Sequence, residues 1–223
     1  MENKSAPTNI SAARITASTF GFLSGLGGIT HGIGEMLQGN VTPSGIVINS
    51  WTQDPIATNM GGEPAMTIVP NLLITGLLTI IFSLATIVWS VMFVQRKHGG
   101  LVLILLSIAM LLVGAGFAPP IMGILAGVAG LGINARSWWG TRLPINILHF
   151  LAKSWPWVFG ICLVNGVFLV VGSIILVYFF GLNNPDLFVY SFFFAIVSVL
   201  LSIFTGAAYD VQKGHRVVTN GAS

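Results

Sequence analysis

Charged side chains are absent from four long stretches of the chain, Pro64 to Gln95, Gly99 to Ala135, Ser154 to Pro185 and Leu187 to Tyr209, and apolar residues fill most of each. About 18 or more apolar residues without charge are enough to cross a roughly 30 Å hydrocarbon layer as a helix. The pattern predicts an all-α, polytopic membrane bundle. Leu101 to Ala135 is too long for one crossing at about 1.5 Å per residue, and Pro119-Pro120 cannot sustain an internal helix ladder, so two helices are expected there. Six membrane-embedded helices follow: Ile15 to Leu37, Met66 to Val94, Leu101 to Ala118, Ile121 to Asn134, Trp155 to Gly181 and Leu187 to Tyr209. The fourth is short enough to be re-entrant or to cross only a thinned region. Residues 1–223 read as one membrane domain, with an external loop at 38–65 and an amphipathic, cytoplasmic interfacial helix at about 143–154.

Basic residues orient this bundle. If the helices flanking the prolines form a hairpin, Lys4, Arg14, Arg96, Lys97, Arg136, Arg142, Lys153, Lys213 and Arg216 all fall on one side, while Asp54, Glu63 and Asp186 face the other. Positive loops mark the cytoplasmic side, so both termini are expected there. Trp89, Trp138, Trp139, Trp155 and Trp157 cluster near the same basic segments as an aromatic belt, leaving Trp51 external. Composition agrees: 54% of residues are hydrophobic and 7% charged, against about 25% charged in soluble domains. The basic pI of about 9.4 then reflects orientation and contact with anionic headgroups, and no nucleic-acid partner is inferred. Cys162 is the one cysteine, so an internal disulfide and a thiolate metal cluster are both excluded. Lys4 and Arg14 precede an apolar stretch without a small-residue cleavage site, which reads as an uncleaved first helix. Asn40-Val41-Thr42 matches a glycosylation acceptor, a short motif of low specificity.

Small and hydroxyl residues follow helical spacing. Ser18, Gly21, Gly25, Gly28 and Gly32 form one face of the first helix, and Gly123, Gly127 and Gly130 an edge of the fourth. Such faces let membrane helices approach closely. The two are expected to pair, the alternatives being a homo-oligomer or a membrane-protein partner; Gly25→Leu and Gly28→Leu should disrupt packing, with Ala17→Leu tolerated. Asn71, Thr75, Thr79, Ser83, Thr86 and Ser90 make a stripe on the second helix, and Ser191, Ser198, Ser202 and Thr205 another on the sixth. Facing a common cavity, they would line a polar path; otherwise they serve as hydrogen-bonding glue between helices. Asn165, deep in the fifth helix, must find a partner of its own.

Candidate chemistry concentrates at the outer end of the first helix. His31 and Glu35 are spaced to share a helix side, and Asp54 and Glu63 in the next loop can bring oxygen ligands over them. Ionisable groups in a span are costly and point to function, and imidazole with carboxylates suits a divalent metal such as zinc. The competing reading is a hydrogen-bonded tether for the loop. His98, His149 and His215 sit in basic or interfacial segments, as wet side chains would. No phosphate loop, HExxH or placeable Ser-His-Asp order is present. The expected function is therefore a non-catalytic membrane protein, either a small permease or channel-like bundle or an accessory subunit binding a lipophilic ligand or membrane partner. A surface enzyme or metal site using His31, Glu35, Asp54 and Glu63 is one alternative, and a structural subunit of a larger complex is another.

Overall fold

The computed structural model describes residues 11–133 and 143–220, with side chains through Gly214. Lys4, Arg136, Trp138, Trp139 and Arg142, and the side chains of His215 and Arg216, lie outside the described residues.

Three helical segments are long and apolar enough to cross a membrane: Leu72–Phe93, Ile145–Phe180 and Pro185–Gly214. They mark the chain as an all-helical membrane protein, the one sheet among the described residues being a two-stranded ribbon. Helix α1 spans Ala12–Gln38 and is the hub, packing on α3 (Leu72–Val88), α5 (Ala118–Gly132), α6 (Ile145–Val167) and α8 (Pro185–Asn220). Its start is fixed twice. Ser11 accepts from the Arg14 N–H at 3.1 Å, and the carboxylate of Asp210 accepts from Ala12 N–H at 2.7 Å and Ala13 N–H at 3.0 Å. Helix N-termini present unpaired N–H groups and a positive dipole end, so a carboxylate from α8 satisfies both.

The loop after α1 holds strand β1 (Val47–Asn49), a helical turn α2 (Ile56–Asn59) and strand β2 (Pro64–Met66), with β1 and β2 antiparallel. Ile48 packs with Ala65 and Leu72, seating the ribbon on the bundle. Because residues 64–66 pair as strand, the second long helix starts at Leu72, later than its apolar run suggests, with Asn71 accepting from Ile74 N–H as N-cap. Helix α3 continues through a π-helical turn at Trp89–Phe93. Helix α4 (Gly99–Leu112) follows, and the break before α5 falls at 113–117, not at the prolines. Pro119 and Pro120 instead occupy the first turn of α5, where a missing N–H costs nothing.

The expected interfacial helix at 143–154 is not a separate element. Residues from Ile145 run straight into α6, past Pro156, then through a π-helical turn at Phe168–Gly172 into α7 (Ser173–Phe180). Trp155 is buried against Phe159 and Tyr209, whereas Trp157 is 77% exposed on the outer surface of α6.

The first helix and the short helix after the prolines, α1 and α5, pack on each other as expected, but the glycine face of α1 is turned to α3. A Cβ on Gly25 would lie 2.7 Å from the Ser83 carbonyl oxygen, and one on Gly32 would lie 2.8 Å from the Gly76 carbonyl oxygen. Gly28 faces Ser83 and Met110. Hydroxyl side chains suit this partner face because they are small and bond locally; Ser90, for example, donates to Ile87 C=O at 2.9 Å. Gly127 and Gly130 pack on Gly100 of α4, and Gly123 on Ser107 of α4 and Ser24 of α1. Ala17 is fully buried in the core with Phe20 and Leu103, so a leucine there is not the benign control that spacing alone suggests.

Candidate functional site

At the loop end of α1 four polar side chains form a buried chain. His31 Nδ1 lies 2.9 Å from Ser50 Oγ, and Ser50 donates to Glu35 Oε1 at 3.1 Å. Thr79 on α3 sits 3.3 Å from Glu35 Oε2 and donates to the Val113 carbonyl at 2.6 Å. A serine hydroxyl has one proton. With that proton on Glu35, Ser50 accepts from His31, so Nδ1 carries a hydrogen and Nε2 is left to face elsewhere. Glu35 is completely buried, and its two hydrogen-bond partners come from the loop after α1 and from α3.

The turn between α4 and α5 closes over this pair. Gly114 (φ +113°) lies against the Glu35 carboxylate, and Gly116 (φ +73°) against the His31 ring. A Cβ at Gly114 would come 2.6 Å from Glu35 Oε2, so the left-handed backbone and the close approach both require glycine. On the loop side, Trp51 covers Gly34, and Gln38 holds the loop by donating to the carbonyls of Asn49 and Ser50 at 3.0 and 2.9 Å.

Glu63 reaches the same place from the ribbon. Ser50 N–H donates to Glu63 C=O at 3.2 Å and Trp51 N–H to Gly62 C=O at 3.0 Å, which fixes its backbone. Glu63 adopts φ +51°, a left-handed conformation uncommon for a residue with a side chain. Its Oε2 lies 3.6 Å from His31 Nε2, beyond a hydrogen bond, and has no hydrogen-bond partner although buried. Asp54 does not join: its exposed carboxylate accepts from Thr58 within the loop. Among the described residues, no group of three His, Cys, Asp or Glu side chains is arranged to hold a metal ion.

His31 and Glu63 form the polar end of a cavity of about 360 Å³ between α1, α5, the α6–α7 helix and α8. Its wall is otherwise mostly apolar, with Leu23, Met122, Leu169, Val170, Phe188 and Phe192 prominent. Phe117 and Val189, 37% and 50% exposed, stand at its rim. None of Asn71, Thr75, Thr79, Ser83, Thr86, Ser191, Ser198 or Ser202 lines it. The first stripe packs on α1, on α4 and on the segment after β2, as in Ser83 against Gly28, the Thr86 bond to Met110 sulfur at 3.1 Å and the Thr67–Thr75 contact at 3.0 Å. In the second, Ser198 donates to Ala195 C=O and Ser202 meets Thr16 at 3.5 Å. Asn165 is satisfied by the Ser191 carbonyl at 2.9 Å.

Sequence spacing therefore brings His31, Glu35 and Glu63 into view and misses Ser50, Gly114 and Gly116. The Gly-Ala-Gly triplet between two apolar runs was the available signal, since glycine there marks close backbone approach. Comparison of the chain with protein-family models, curated proteins and solved structures gives no match.

Proposed function

We propose that the chain is a six-helix integral membrane protein, with both termini cytoplasmic, that binds a small lipophilic molecule without catalysing its conversion. The observation that carries this reading is the 360 Å³ cavity, apolar along its length and polar at one end. Ligand sites of about 300–1,000 Å³ with mostly apolar walls and a few placed polar groups are the usual form. Its rim lies among the N-terminal ends of α5 and α8 and the loop bearing Glu63, all on the side away from the basic segments. A ligand would then enter from the outer leaflet. The channel-like alternative loses its main support, because the hydroxyl stripes are engaged in helix packing.

Photolabelling of the protein in lipid nanodiscs with an adamantyl diazirine tests the reading. Saturable labelling of Met122, which is 7% exposed, is expected, and Val170→Phe should block it by filling the cavity. Label confined to lipid-facing residues such as Phe179 and Trp157 would remove the cavity from consideration.

A further inference from the structure

The polar end of the cavity presents acceptors without a donor. With Nδ1–H committed to Ser50, a neutral His31 ring offers the lone pair of Nε2, and 3.6 Å away stands the unpartnered Oε2 of Glu63. A buried acceptor left unsatisfied costs about 1–3 kcal/mol, so a donor placed between these two atoms is favoured. No Lys or Arg can provide it: segments 39–71, 113–117 and 181–184, which surround this end, contain none. The acidic residues at this end are Glu63 itself, Asp54 in the same loop and Asp186 beside the rim residue Pro185. The ionisable side chains at the mouth other than His31 are acidic, and the cavity below it is apolar.

We propose that the occupant is a lipophilic amine, an ammonium head on a compact hydrocarbon body, its N–H groups bridging Glu63 Oε2 and His31 Nε2. This deepens the ligand-binding reading above and rests on it. An ammonium has three donors and no acceptor, matching a site with acceptors alone. Charge-assisted bonds to a carboxylate are roughly twice as strong as neutral ones, and the low-dielectric wall strengthens them further. A hydroxyl head supplies one donor and no charge, and a carboxylate head repels Glu63.

Three probes with one cage and different heads separate these cases: 1-adamantylamine, 1-adamantanol and 1-adamantanecarboxylate, titrated calorimetrically into the full chain in a non-ionic detergent. The amine is expected to bind at least about tenfold more tightly than the alcohol, as a charge-assisted bond predicts, with the carboxylate weakest. Glu63→Gln should erase the preference by weakening the amine, and Val170→Phe should weaken all three. The wild-type series decides even if a variant fails to fold. Equal affinities, as an imidazolium at His31 that already satisfies Glu63 would give, or a preference for the alcohol or acid, overturn the amine assignment and leave the cavity reading standing. If folded wild-type protein binds none of the three, the cavity reading itself falls.

Discussion

His31 and Glu35, one helical turn apart on α1, do not touch; the hydroxyl of Ser50, from the following loop, stands between them at 2.9 and 3.1 Å. The turn of helix sets the two groups on one side, but the loop decides how they interact. Ser50→Ala removes the bridge and leaves both a buried imidazole N–H and a buried carboxyl oxygen without that partner. The expected cost is about 1–3 kcal/mol, visible as a lower unfolding temperature in detergent. Thr79→Val should add less than its own cost to Ser50→Ala, because both act on Glu35. Wild-type stability of Ser50→Ala would show that the bridge contributes nothing.

Close backbone contact between α1 and α3 makes a single methyl group expensive. At Gly32 a Cβ meets the Gly76 carbonyl oxygen, whereas at Gly160 on α6 no atom lies within 4 Å. Gly32→Ala is expected to destabilise by about 1–3 kcal/mol, as overpacking does. Gly160→Ala should be neutral or slightly stabilising, since alanine favours helix. Thermal unfolding of the pair in one detergent compares them directly, and equal midpoints would contradict the packing described.

Asp210 joins the end of the chain to its beginning by accepting two N–H groups from the first turn of α1. Asp210→Ala should therefore loosen α1 at its start, raising amide exchange at Ala12 and Ala13 and lowering stability by about 1–3 kcal/mol. Asp210→Asn keeps one acceptor oxygen but loses the charge that favours a helix N-terminus, so an intermediate effect is expected. Unchanged exchange at both amides in Asp210→Ala would refute the cap.

The proposed six-helix topology is tested by impermeant thiol labelling in a Cys162→Ala background. Gly45→Cys and Asn183→Cys should label from outside, Lys97→Cys and Lys153→Cys only after permeabilisation. The Lys153 position is the informative one. External labelling there would mean that α4 and α5 do not form a hairpin.

Hydropathy and helical spacing made the helices and the α1 glycine face legible, because both depend on positions within one helix. Which neighbour receives Gly25 and Gly28 did not follow: spacing announces a close approach without naming the partner, and the α3 hydroxyls that fill the role were equally consistent with a polar path. The site was legible in part for the same reason. His31 and Glu35 share a helix, whereas Glu63 is brought in and Asp54 left out by loop hydrogen bonds from Ser50 and Trp51 that no periodicity encodes. The span at 143–154 is not set off as an interfacial helix because its amphipathic pattern continues without a stop signal into the apolar run, and Pro156 does not end the helix.

The π-helical turn at Phe168–Gly172 works as an angular offset in one wall of the cavity. One extra residue in a turn shifts everything beyond it by about 100° relative to an unbroken α-helix. Gly166 lies before the turn, Leu169 and Val170 within it and Ser173 and Ile174 beyond it, and all five line the cavity, so the turn sets how the two halves of this wall are rotated against each other. Deleting Val171 would remove the surplus residue and rotate Ser173, Ile174 and the buried Val177 relative to Leu169 and Val170. Such a variant should keep its helix content by circular dichroism and change its affinity for the adamantyl probes, so that one surplus residue sets the shape of the proposed binding chamber.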